Sequence, residues 1–156
     1  MKKLLIILLS LVITSCLDPE DLDFSSGTFC EESPEIELKD GLFFLPNDQQ
    51  PYSGENICIY KNNSQFATQG LIKKGLRQGK QTWWYKNGQK WVEIHFKDGK
   101  EDGMLTAWYE NGQKMSEINY IDGNEDGKGI EWNEGGQIES ESNWKEGECI
   151  SGDCPK

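Results

Sequence analysis

Hydrophobic and polar residues alternate along much of this chain in short runs, as in residues 93–97. A two-residue period is typical of a β-strand that buries one of its faces. Between residues 73 and 144 the pattern returns every 24 residues, so that Gly79 is followed by Gly103 and Gly127. A fixed period of this size indicates modules that stack on one another. The sequence therefore predicts an all-β, open antiparallel, solenoid-like array of hairpins with eight to ten strands.

Turn signals separate the predicted strands at regular positions. Asn87-Gly88 and Asn111-Gly112 are Asn-Gly pairs, and Gly135 with Gly136 occupies the same place in the third copy. We expect type I′ turns there, because Asn and Gly best tolerate the positive φ that both central residues need. The opposite turns are marked by the pairs Lys74-Gly75, Asp98-Gly99, Asp122-Gly123 and Glu146-Gly147.

Side chains at recurring positions predict the faces of the sheet. The positions expected in a stacked core are 82, 84, 94 and 96 with their equivalents 24 and 48 residues later. Glu93, His95 and their equivalents are expected on a solvated face. Four aromatic residues are expected to point outward and form a candidate binding surface for a protein or a glycan: Trp83, Tyr85, Trp91 and Tyr109.

The first 16 residues have the composition of a secretory signal. Lys2 and Lys3 precede an apolar run that is too short to span a bilayer. The residues before Cys16 resemble a bacterial lipobox, which implies cleavage after residue 15 and lipidation of Cys16. Acidic residues 16–41 then predict a flexible tether. The expected location is the cell envelope, with the lipid as a membrane anchor in the outer membrane or at the cell surface.

Four cysteines follow the lipidation site, and an even number predicts disulfides in an exported protein. We favour Cys149–Cys154, which bracket a short turn, and consequently Cys30–Cys58. Three pairings are compatible with the spacing. No metal is expected, since C-x₄-C is a poor zinc pattern.

The formal net charge is −11, which disfavours nucleic acid as a partner. The calcium-like run from Asp122 through Asn124 to Asp126 lacks a glutamate at its twelfth position, so that a turn is favoured. His95, the one histidine, stands where the other copies have Asn. We therefore expect no catalytic residues, no cofactor and no enzymatic activity.

The W-Y-x-N-G-Q core and the paired D-G turns resemble the bacterial variant of the MORN repeat, whose proteins are often labelled YwqK-type antitoxins. The resemblance covers about residues 42–147. It implies an open antiparallel sheet that adds one hairpin per unit, and its eukaryotic relatives imply membrane tethering and protein scaffolding.

These features predict a non-catalytic, membrane-anchored protein-interaction module. The alternatives are a glycan-binding lipoprotein and an antitoxin-like component of a toxin–antitoxin system. The expected organisation is a signal peptide (1–15), a lipidated tether (16–41) and a repeat domain (42–156) with units at about 51–72, 73–96, 97–120 and 121–144 and a partial unit at 145–156.

Overall fold

The structure is a computed structural model that describes residues 36–59 and 66–155. This part of the chain is all-β, which confirms the predicted fold class. The strands are β1 (Glu37–Lys39), β2 (Leu42–Phe44), β3 (Gly54–Ile59), β4 (Phe66–Lys73), β5 (Leu76–Trp84), β6 (Lys90–Lys97), β7 (Lys100–Glu101), β8 (Gly103–Trp108), β9 (Lys114–Ile121), β10 (Asn124–Glu125), β11 (Gly127–Trp132), β12 (Ile138–Lys145) and β13 (Glu148–Gly152).

One open antiparallel sheet contains all strands except the β1–β2 hairpin. Its main path runs β13-β12-β11-β9-β8-β6-β5-β4-β3, with β7 beside β6 and β10 beside β9. The described chain has thirteen strands rather than the expected eight to ten, because the β1–β2 hairpin adds two and the interruptions at Asp102 and Asp126 each divide one long strand into two. Gly103 and Gly127 follow these interruptions with φ of 130° and 109°. Within the described segments, no helix is present that could cross a membrane.

Turns form at both sets of predicted positions, but the type I′ turns are not the ones that were predicted. Asp98 and Gly99 both have positive φ (50° and 81°), which is the type I′ signature. The turns at Lys74-Gly75, Asp122-Gly123 and Glu146-Gly147, at the same end of the strands, repeat it. Asn87 is not in the left-handed region, whereas Gly88 has φ 86°. The expectation of type I′ turns at Asn-Gly is therefore wrong. Tyr85 exchanges backbone bonds with Gly88 and Gln89, as in a three-residue loop that ends in a left-handed glycine.

Asn87 is needed for its side chain rather than for its backbone conformation. Its Oδ1 accepts a hydrogen bond from the Gln89 amide at 2.9 Å, and its Nδ2 donates to the carbonyl of Glu110 in the next repeat. Asn111 makes the same two contacts one repeat later. At the opposite ends of the strands, the Gly99 amide donates to the Arg77 carbonyl. The turns at both ends of the strands are thus hydrogen-bonded to the neighbouring hairpins.

The core lies on one face of the sheet, here called the core face. Ile94, Phe96 and Tyr120 are buried, with 3%, 7% and 8% exposure. Trp83 and Ile118 pack against them, together with Leu105. Each such apolar side chain contributes roughly 1.5–3 kcal/mol when fully buried. Trp83 was expected to point outward, and its place in the core contradicts that expectation.

The strand register explains why the predicted faces are partly wrong. Thr82 pairs with Glu93, whereas Gln81 pairs with Ile94. Directly paired residues share a face, so Thr82 and Trp84 lie with Glu93 on the face opposite the core. We call this second face the open face. The expected stack of positions 82 and 84 on positions 94 and 96 therefore does not form, and the open face is not purely polar.

Tyr85 and Trp91 are also buried instead of exposed, with 7% and 4% exposure. Trp83 pairs with Val92 and Trp84 with Lys90, so that Trp91 is the extra residue of a β-bulge. Its ring lies 6.2 Å from the Tyr85 ring. The Tyr85 hydroxyl donates to the Trp108 carbonyl at 2.8 Å, which joins this aromatic pair to the next repeat.

The β1–β2 hairpin covers the first repeat. The Phe43 amide donates to the Gly75 carbonyl, and the Phe43 ring lies 5.0 Å from the Arg77 guanidinium. Burial lowers the pKa of Arg77, and the charge of Glu101 opposes this effect. Because residues 37–41 form β1 and its turn, the flexible tether predicted for residues 16–41 extends too far at its C-terminal end. The rest of that prediction and the signal peptide lie outside the described residues.

The last strands are closed by the predicted Cys149–Cys154 disulfide, with a Cα–Cα distance of 5.6 Å. Cys58 is also disulfide-bonded. Since Cys149 and Cys154 bond to each other, the partner of Cys58 lies outside the described residues. The Cys30–Cys58 pairing therefore stays a prediction.

Candidate binding surface

The open face carries one tryptophan in each of the three full repeats, at residues 73–96, 97–120 and 121–144. Trp84, Trp108 and Trp132 end strands β5, β8 and β11 at equivalent positions, and each is partly exposed. Because β6 and β9 lie between these strands, successive tryptophans are two strand spacings apart. The chain therefore presents its aromatic rings in a line across the strands.

Lysines lie between the tryptophans. Lys90 pairs with Trp84 in the register, and its ammonium lies 5.4 Å from the Trp108 ring centroid. Lys114 pairs with Trp108, and its ammonium lies 5.8 Å from the Trp132 ring. These are cation–π distances. We call this line the tryptophan–lysine row; its members are Trp84, Lys90, Trp108, Lys114 and Trp132.

Carboxylates of the open face hold the lysines in place. Lys90 donates to Glu93 Oε2 at 2.7 Å, and Lys80 lies 3.5 Å from the same oxygen. Partial burial acts to raise the pKa of Glu93, but the bonds and charges of Lys90 and Lys80 outweigh it and lower the pKa. Lys114 donates in the same way to Glu117 at 2.5 Å. The carboxylates fix the ammoniums beside the rings.

A shallow groove of about 480 Å³ opens between the first two tryptophans. It is lined by Trp84, Gly88, Gln89, Lys90, Trp108 and Gly112. A Cβ on Gly112 would lie 3.3 Å from Gln89 Oε1, so the glycine lets the amide of one repeat lie across the next. The lining thus combines two indole rings, one amide and one charged side chain.

Exposed apolar side chains lie on the same face as the row. Leu71 is 44% exposed, Met104 53% and Ile138 57%. The register assigns them to the open face. Ile138 pairs with Trp132, and Met104 stands two residues before Thr106, which pairs with Glu117. Leu71 stands two residues after Gln69, which pairs with Thr82. Exposed apolar surface marks a binding region when it is contiguous and is surrounded by polar residues.

The predicted surface residues are therefore placed differently from the expectation. Trp83, Tyr85 and Trp91 contribute to packing, as described above. Tyr109 is half-buried, and its hydroxyl donates to the Trp132 carbonyl at 2.8 Å. The sequence did contain a signal for the row, since Trp84 and Lys90 are spaced as Trp108 and Lys114 are.

The remaining polar clusters of the described segments make contacts within the fold. These segments contain no group of three or more side chains arranged to hold a metal ion. Asp126, in the calcium-like run, accepts a bond from Lys145 at 2.7 Å. Tyr120 and Glu125 meet at 3.5 Å in a buried contact. Burial raises the pKa of both groups, and the charge of Glu125 raises that of Tyr120 further.

A model of the MORN repeat variant matches residues 77–98, 101–122 and 125–146. Each match contains one tryptophan of the row. No curated protein and no solved structure matches the chain. Repeats of this kind indicate a repeat-based binding module. The chain thus carries three tandem MORN repeat variants, in a sheet that extends by one hairpin per repeat.

Proposed function

We propose that this protein is a non-catalytic protein-interaction module that binds its partner on the tryptophan–lysine row. The observation that carries the proposal is the line of three partly exposed tryptophans on a face opposite the core. Tryptophan is among the residues that contribute most to protein interfaces, particularly at the centre of a contact.

The surroundings of the row support a protein partner. The exposed side chain of Ile138, which pairs with Trp132, extends the row. The carboxylates of Glu93 and Glu117, paired with the lysines, border it. An aromatic centre with a polar rim is the usual composition of a protein interface. The charges are held in ion pairs, so that they favour specificity over strong attraction of any one sign.

The proposal includes a membrane anchor. Cleavage before Cys16 and lipidation of this residue would attach the chain to a bacterial envelope membrane, and the acidic segment after it would act as a spacer. The support for this part is the sequence of the first 16 residues. The binding function of the row does not depend on it.

The test is crosslinking in the native cell, with an affinity tag after Lys156 and mass spectrometry of the captured proteins. We expect one stoichiometric envelope protein, captured by the wild type and lost with Trp108→Ala. Ile150→Ala is the matched control, because Ile150 is 64% exposed but lies on the last strand, away from the row. Circular dichroism checks that both variants fold. Capture that is equal for both variants, or no capture at all, would contradict the proposal.

A further inference from the structure

The spacing of the row restricts the shape of a peptide that could follow it. Adjacent strands lie about 4.8 Å apart, so that tryptophans two strands apart are separated by about 9.6 Å. A polyproline II helix rises about 9.3 Å per three-residue turn. An extended strand repeats about every 6.8 Å, and two turns of an α-helix cover about 10.8 Å. The polyproline II helix keeps closest register with all three rings.

The chemistry of the row also fits this conformation. Polyproline II has no internal hydrogen bonds, so its carbonyls are free to accept bonds from the ligand-facing groups of a receptor. Lys90 and Lys114 present ammoniums between the rings, and Gln89 contributes an amide to the first groove. Aromatic-lined grooves are the usual receptors for proline-rich segments.

The charge of the row is not uniform along its length. At the first groove, Lys80 and Lys90 share the single carboxylate of Glu93, which leaves one positive charge in excess. Between Trp108 and Trp132, Lys114 and Glu117 form a one-to-one ion pair. Lys90 is also the one charged residue of the groove lining. A ligand with one carboxylate over the first groove therefore complements the row, while a polyanion would meet the overall charge of −11.

We propose that the tryptophan–lysine row binds a proline-rich segment of a partner protein as a polyproline II helix across the strands. One acidic side chain of that segment lies over the groove between Trp84 and Trp108. This inference rests on the proposed function, and it names the chemistry of the partner at the same surface.

The experiment uses the full chain and synthetic peptides, followed by its tryptophan fluorescence. The probes are capped proline-rich decapeptides with one aspartate at the first or the last position, so that both orientations of the peptide are tested. Matched probes carry lysine instead of aspartate, or Gly-Ser in place of the prolines at the same charge. We expect one aspartate peptide to bind about fivefold or more tighter than its lysine match, and the Gly-Ser peptide to bind at least about tenfold more weakly.

Variants locate the site. Trp108→Ala should weaken binding of the aspartate peptide by about tenfold or more. Lys90→Met keeps the apolar stem and removes the charge, so it should abolish the preference for aspartate over lysine. Lys128→Met is the control, because Lys128 lies on the same face and pairs one-to-one with Glu141. It should leave the preference intact.

Three results would overturn the inference: equal binding of the Gly-Ser and proline peptides, no fluorescence response to any peptide, or binding of an oligogalacturonate in place of the peptides. The crosslinking test separates this failure from a failure of the proposed function. If Trp108→Ala still abolishes capture of a protein partner while the proline peptides do not bind, only the polyproline II inference is wrong. If neither result is obtained, both proposals are wrong.

Discussion

The first of the three full repeats (residues 73–96) and the third (residues 121–144) form the same hairpins but differ on their core faces. In the first repeat, Ile94 and Phe96 are buried beneath Trp83. Their equivalents in the third repeat are Glu131 for Trp83, Ser142 for Ile94 and Trp144 for Phe96, so that Trp144 is the one apolar ring left at these three positions. The strands pair in the same register in both repeats. The hydrogen-bonded hairpins therefore persist where the apolar core is thinner.

The open face shows the opposite behaviour. Trp132 occupies in the third repeat the position that Trp84 occupies in the first, although the core behind it has thinned. Packing alone does not require a tryptophan on a face opposite the core. The retention of the ring through all three repeats is what a surface used for binding requires, and it supports the proposed role of the row.

The largest difference between the two regions should appear in core substitutions. Ile94→Ala is expected to lower the free energy of unfolding by about 3 kcal/mol, because it leaves a cavity beside Phe96. Ser142→Ala should cost about 1 kcal/mol, through the lost bond from Trp144 Nε1. Urea denaturation measures both. Equal losses would show that the third repeat is packed as tightly as the first.

Removal of the terminal disulfide should affect the third repeat more than the first. The double substitution Cys149→Ser and Cys154→Ser is expected to cost about 2 kcal/mol, the chain-entropy estimate for a short loop. In a repeat array each unit contacts its neighbours, so the loss should remain local. Hydrogen exchange should accelerate in β12 and β13 and stay unchanged in β5 and β6. Uniform acceleration would mean that the sheet unfolds as a single unit.

The hydrogen bonds between hairpins should contribute less to the free energy of unfolding than the buried core side chains do. Asn87→Ala removes two hydrogen bonds, one within its turn and one to the Glu110 carbonyl, and should cost about 1–2 kcal/mol. Glu110→Ala, at an exposed position of the equivalent turn in the next repeat, is the control and should be close to neutral. Thermal unfolding compares the two. If Asn87→Ala left the melting temperature unchanged, its two hydrogen bonds would not contribute to joining the repeats.

The smallest effect concerns pH at the junction of the second and third repeats. Burial raises the pKa of Glu125 in the folded state, so its neutral form is favoured there. Its contribution to stability is therefore full below the unfolded pKa of about 4.3 and is lost as pH rises through the higher folded value. Glu125→Gln should thus be more stable than the wild type at pH 7 and equal to it at pH 4.

Urea midpoints at the two pH values measure this difference, and the exposed Glu139→Gln is the charge-matched control. A stabilisation by Glu125→Gln that is the same at both pH values would show that the carboxyl does not titrate in this range.

The sequence by itself determined the repeat, the strands, the positions of the turns and the disulfide between Cys149 and Cys154. These features depend on local chemistry: two-residue alternation, glycines that adopt positive φ, and two cysteines close along the chain. Each of them is present within a stretch of about one repeat, so no long-range contact is needed to recognise it.

Only the tertiary structure decided which face is buried. Trp83 and Trp84 are adjacent, so alternation places one on each face without saying which face the core covers. The β-bulge at Trp91 and the pairing of Thr82 with Glu93 settle this by register. Register is set between strands, and a shift of one residue exchanges the two faces. For this reason the recurring tryptophans and lysines could be assigned to one exposed face only after the strands were paired.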